Sequence, residues 1–145
     1  MRAFSFGGGV QSMACLVLSA KGVLPYTHFI FANVGDDSEN PATIEYVNTI
    51  ARPYAIKHGL TIVDTRKTTK LGDAPTIYEE CMSEKSSIPI PVFMTGAGPG
   101  SRNCTSKWKI AVIEKWMRNW GGGNKAFTPA HRHRNQSRRI SADAQ

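Results

Sequence analysis

The sequence predicts an α/β fold: a mostly parallel sheet with helices on both faces, in three layers. Three observations predict it. Short apolar runs alternate with amphipathic helical patterns, in the order β–loop–α–β–α–β over the first 64 residues, and such alternation favours parallel pairing through helical crossovers. The run HFIFAN at 28–33 is apolar without alternation, as in a strand buried on both faces. The most glycine-rich and the most acidic loops both follow predicted strands, where ligands sit in sheets of this type.

The elements follow in order. Residues 2–6, RAFSF, read as the first strand. After the glycines, residues 11–20 carry Met13, Leu16, Val17 and Ala20 on one helical stripe, with Gly22 as the stop. The strand at 28–33 leads into the polar loop GDDSEN at 35–40. Asn40 and Pro41 form an N-cap and first-turn pair. The helix they start presents Ile44, Val47 and Ile50, until Pro53 kinks or ends it and Gly59 closes the segment. Residues 60–64, LTIVD, form the third strand, and 76–84 a short helix. The stretch 87–100 is rich in proline and glycine and reads as a long loop. A last helix spans 106–120, capped by Thr105 or Ser106, with Ile110, Ile113, Met117 and Trp120 on one stripe and Gly121 at its end. Two units result: a folded domain over 1–120 and a tail over 121–145 whose lack of apolar period predicts disorder.

Charge supports that division. The chain carries +7 formally, and residues 125–145 supply +4 of it through Lys125, Arg132, Arg134, Arg138 and Arg139 against Asp143. The domain itself is close to neutral, so only the tail suggests a nucleic-acid partner. With 41% hydrophobic residues but no apolar run near eighteen, the composition is globular and predicts no membrane span. Three cysteines without a C-x-x-C pair exclude a zinc or cluster framework readable from spacing and suit a reduced, cytoplasmic compartment.

Gly7, Gly8 and Gly9 carry the main chemical expectation. Without side chains, successive N–H groups can converge on an anion, and the following helix adds its positive end. Ser5 and Ser12 add hydroxyls. The alternative is a glycine-rich strand–helix turn that holds nothing. The loop has no lysine for G-x-x-x-x-G-K-[ST], and Ser12 stands where G-x-G-x-x-G needs its last glycine.

SFGGGVQS at 5–12 resembles the PP-loop signature S-x-S-G-G-x-D-S of the adenine nucleotide alpha-hydrolase superfamily, with Gly7 for the middle serine and Gln11 for the aspartate. FANVGDDSENPATIEYV at 31–47 resembles that family's F-A-D-T-G-D-E segment, and SRNCTSKWKIAVIEKWMR at 101–118 its R-x-C-T-x-x-[FYW]-K-I segment. The chain also resembles phage and actinobacterial proteins described as phosphoadenosine phosphosulfate (PAPS) reductase-like. The resemblance implies a Rossmann-like sheet and an ATP or PAPS substrate. It implies nucleotide contacts from Ser5, Gly7, Gly8, Gly9, Gln11, Ser12, Asp36, Arg102 and Lys109. Asp36 and Asp37 could hold Mg²⁺ or ribose hydroxyls, against the plainer reading of a solvated acidic turn. Gln11 keeps an oxygen acceptor without the charge, so metal binding there should weaken. Cys104 is the one catalytic candidate, although the resemblance favours a pocket-lining thiol over a nucleophile because no E-C-G-x-H-type segment follows. Lys107 reads as a solvated helix lysine, Cys15 as core, and Trp108, Trp116 and Trp120 as helix packing. The expected function is action at an activated phosphate or sulfate of an adenine nucleotide, the acceptor substrate unassigned. The alternative is an inactive module that binds nucleotide or nucleic acid. A tail with almost no apolar residues supplies no wall to a pocket, which predicts an incomplete enzyme finished by a second copy or a partner chain.

Overall fold

The computed structural model describes residues 2–83, 89–95, 98–99 and 103–121. It has a three-stranded parallel sheet with helices packed on it, together with two small antiparallel strand pairs. Strands β1 (Ala3–Phe6), β2 (His28–Ala32) and β3 (Thr61–Thr65) lie in that order. Register pairs Phe4 with Phe29 and Phe6 with Phe31, and Phe29 with Ile62 on the far side. Side chains alternate along a strand, so these aromatic rings share one face. That face carries the main core, closed by Leu16 of helix α1 (Val10–Ala20) and by Val47, Ala51 and Ala55 of the next helical run. Phe6 and Phe29 meet edge to face, their centroids 6.1 Å apart. Ile30 and Ala32 point the other way and are also buried, which explains why β2 shows no polar alternation. By the same alternation His28 belongs to their face, and its ring lies 4.5 Å from that of Trp120.

The helical run after β2 departs from expectation. It consists of α2 (Pro41–Tyr46), a π-helical turn (Val47–Ala51) and α3 (Arg52–Lys57). Asn40 caps its start, its side chain accepting from the Ala42 amide, with Pro41 in the first turn. Pro53 does not end the helix. Its ring would clash with the carbonyl four residues back in a regular α-helix. The wide turn closes just before α3, where Pro53 falls in the first turn and is tolerated. The extra residue also changes the helix phase: Val47, Ala51 and Ala55 face the core, while Ile50 is half exposed.

The remaining chain forms β4 (Thr68–Thr69) with β5 (Gly72–Asp73), α4 (Ile77–Met82), β6 (Phe93–Met94) with β7 (Gly98–Pro99), a second π-helical segment (Cys104–Ile110) and α5 (Ala111–Gly121). Helix α4 starts with a full capping box between Thr76 and Glu79. The last helical run begins earlier than expected, so Thr105 and Ser106 lie within it rather than capping it. Trp108 and Val112 are buried, whereas Ile110 is half exposed; here too a wide turn shifts the phase of the stripe. Trp108 forms a second, smaller cluster with Val34 and Ile77, and Cys81 and Cys104 pack against it. No helix among the described residues is long and apolar enough to cross a membrane. Arg102 and the tail from residue 122 onward lie outside the described residues.

Candidate functional site

The glycine loop joins the buried end of β1 to α1. Gly9 is the N-cap in extended conformation, and no side chain caps the helix. The helix start is tied instead through the Gly9 carbonyl, which accepts from the Met13 amide at 3.0 Å and the Ser12 hydroxyl at 2.8 Å. The hydroxyl of Ser12 therefore has an internal partner, and the residue is largely buried. Ser5 and Gln11 are exposed.

The three glycines have different reasons to be glycine. Gly8 has φ +72°, and a Cβ there would lie 2.8 Å from Cγ2 of Thr43 and 3.1 Å from Cγ2 of Val47. It is required by the packing of the loop on the helix after β2. A Cβ at Gly7 or Gly9 would meet no atom of the described residues within 4 Å, and neither has a left-handed φ. Their bare backbone borders an open depression of about 470 Å³, which Ser5 and Gln11 also line.

The loop after β2 holds the two aspartates, and their carboxylates take different partners. Asp36 accepts from Nδ2 of Asn33 at 2.7 Å and from Nη2 of Arg66 at 2.8 Å. The hydrogen bond from Asn33 and then the Arg66 charge hold its carboxyl below the usual aspartate value. Asp37 accepts from the hydroxyls of Ser38 at 2.9 Å and Thr76 at 2.8 Å, which fastens the loop to the start of α4. Just before them the chain bends at Gly35, φ +125°, where a Cβ would lie 2.5 Å from Oδ1 of Asp37. No group of three or more His, Cys, Asp or Glu among the described residues is arranged to hold a metal ion. A Mg²⁺ ion here would need oxygens from a bound phosphate to complete its shell.

Lys109 donates to Oε1 of Glu39 at 2.7 Å, tying the last helical run to the same loop. Lys107 is exposed. Cys104 sits against the Trp108 cluster, with its amide donating to the Pro89 carbonyl at 2.7 Å. The Trp108 indole donates to the Pro75 carbonyl at 3.4 Å, and the ammonium of Lys67 lies 3.5 Å from the centre of its ring. These contacts give Trp108 the packing role expected of it. Cys104 belongs to the same packing unit.

One feature was missed in the sequence. Between the helix after β2 and the carboxyl ends of β2 and β3 lies a cavity of about 310 Å³. Phe31, Ile44 and Val47 give it an apolar wall, and its polar groups include Asn33, Asn48 and two Arg–Asp pairs. In the first pair, Arg52 donates Nε to Asn48, Nη1 to the Ile62 carbonyl and Nη2 to Asp64. The second pair is Arg66 with Asp36. Phe31 and Val47 also lie against Gly8, so the cavity adjoins the glycine loop. Asp64 and Arg66 were legible as residues at a strand's carboxyl end; nothing in the local pattern marked Arg52. Comparison of the chain with protein-family models, with curated proteins and with solved structures found no match.

Proposed function

We propose that this chain binds an adenine nucleotide through Gly7–Gly9 and acts at an activated phosphate or sulfate of ATP or PAPS, as the PP-loop proteins it resembles do. The supporting observation is the contrast within the loop. Packing explains Gly8, but no contact among the described residues explains glycine at positions 7 and 9. Bare backbone at the start of an uncapped eleven-residue helix is what a phosphate needs for close approach. The nucleoside then lies in the adjoining cavity, at the carboxyl end of a sheet of the three-layer, Rossmann-like kind.

Two chemistries fit. In one, an acceptor oxygen attacks the α-phosphorus of ATP, the bond to the β-phosphate oxygen breaks, and pyrophosphate leaves with its developing charge held by loop N–H groups. In the other, one thiol of an external dithiol attacks the sulfate sulfur of PAPS, adenosine 3′,5′-bisphosphate leaves, and the second thiol then displaces sulfite as the disulfide forms. Isothermal titration with ATP, AMP-PNP, adenosine phosphosulfate and PAPS, each with and without Mg²⁺, tests the binding. Pyrophosphate- and sulfite-release assays then separate the chemistries. Absence of binding by all four refutes the proposal.

A second reading, a nucleotide-binding module without turnover, is favoured by one set of observations. Asp36, Asp37 and Lys109 are all engaged by the chain's own side chains, and Gln11 carries no charge. Binding without product release supports it. Binding to nucleic acid with a steep salt dependence would assign the basic tail to that partner.

A further inference from the structure

The cavity beside the glycine loop has an electrostatic property that bears on which nucleotide it takes. It holds two guanidiniums, and each is already matched to a carboxylate. Arg52 is further committed to Asn48 and to the Ile62 carbonyl. The ionisable groups lining the cavity therefore cancel: Arg52 with Asp64, and Arg66 with Asp36.

Resting on the nucleotide reading above, we infer that this cavity selects a nucleoside with a free 3′-hydroxyl and rejects a 3′-phosphate. The substrate class is thus that of ATP rather than PAPS, with Asp36 and Asp64 as specificity-determining residues.

A ribose hydroxyl is a neutral donor, and a carboxylate with spare lone pairs accepts from it while keeping its arginine. Asp64 and Asp36 are both well exposed on their side chains, at 54% and 72%, so their free lone pairs are reachable. A 3′-phosphate is a dianion that donates nothing when fully ionised. To gain a cation it must draw Arg52 or Arg66 from its aspartate, which leaves a carboxylate unpaired beside the new charge. Otherwise it faces both aspartates with no unmatched cation among the cavity's described residues. Either arrangement disfavours the extra phosphate, and the ribose hydroxyl meets neither penalty.

The test compares AMP with adenosine 3′,5′-bisphosphate by isothermal titration at one salt concentration. The two ligands differ only in the 3′ group. The full chain is used in wild-type form and as Asp36→Asn and Asp64→Asn, with thermal unfolding as the check on folding. AMP should bind wild type at least tenfold more tightly than the bisphosphate. Each substitution releases an arginine and should move the affinity ratio at least fivefold toward the bisphosphate. Equal or tighter binding of the bisphosphate by wild type overturns the inference and leaves the nucleotide reading standing. An unchanged ratio in both folded variants removes Asp36 and Asp64 from the specificity role. If neither ligand binds the folded wild type, this inference falls, and the titration with ATP, AMP-PNP, adenosine phosphosulfate and PAPS decides the nucleotide reading separately. Should both variants fail to fold, the wild-type ratio alone decides.

Discussion

Replacing Gly8 and Gly9 separately by alanine should separate architecture from ligand binding. At Gly8 two penalties combine. An L-residue held at φ +72° costs about 1–2 kcal/mol. A methyl 2.8 Å from Thr43 and 3.1 Å from Val47 overpacks the contact at a further cost of about 1–3 kcal/mol. The sum, about 2–5 kcal/mol, should lower Tm by roughly 6–20 °C for a domain of this size. Gly9 is extended, with φ −91° and ψ 175°, a conformation any residue adopts. Its added methyl meets no atom of the described residues within 4 Å. Gly9→Ala should therefore change stability by about 0.5 kcal/mol or less, since the poorer N-cap that alanine makes is offset by its restriction of the unfolded chain. The assay is thermal unfolding by circular dichroism without nucleotide, followed by titration with ATP. Gly9→Ala should keep its Tm within a few degrees and lose at least tenfold in affinity. Equal destabilisation by the two substitutions would refute the packing argument. A stable Gly9→Ala variant with wild-type affinity would refute the phosphate cradle.

Three further outcomes are expected. The native pKa of Asp36 is depressed, so its contribution to stability is present above the unfolded value and lost as pH falls through the native one. Urea unfolding at stepwise lower pH should show wild type losing stability below about pH 4 more steeply than Asp36→Asn; identical profiles would exclude the Asn33 and Arg66 contacts as its source. Lys109→Ala strands Glu39, whose side chain is only 15% exposed, and should destabilise the fold by about 1–2 kcal/mol, whereas Lys107→Ala should be neutral in the same urea titration. Gln11→Asp should strengthen ATP binding in Mg²⁺ but not in EDTA; calorimetric curves that do not change would show that position 11 does not reach the metal.

Local chemistry made much of the fold legible. Consecutive apolar residues gave β2, Asn40–Pro41 gave the start of α2, and the Leu16 stripe gave the buried side of α1. The failures have a common origin in long-range or register effects. Ile50 and Ile110 fit an α-helical stripe, yet both lie in π-helical segments that turn them toward solvent. Partner choice was equally hidden. Lys109 and Glu39 are 70 residues apart, and Arg52 meets Asp64 only because α3 turns back onto β3, so neither pair follows from local spacing. Site residues were legible where backbone conformation dictates the amino acid, as at Gly8, and illegible where only the assembled fold brings side chains together, as in the cavity.

The wide turn at Val47–Ala51 carries a consequence for how this chain is read beside others. It acts as a one-residue insertion concealed within continuous helix: the run keeps its hydrogen bonds and gains no loop to mark the change. A homologue with an ordinary α-helix would need one residue fewer to bring the same side chain to the same place on the sheet. Without a gap at that point, an alignment would set Arg52 against a neighbour of its true counterpart. Column-by-column searches for the arginine beside β3 should therefore allow a single-residue offset between Tyr46 and Arg52, and should judge equivalence by reach to the strand rather than by position in the row.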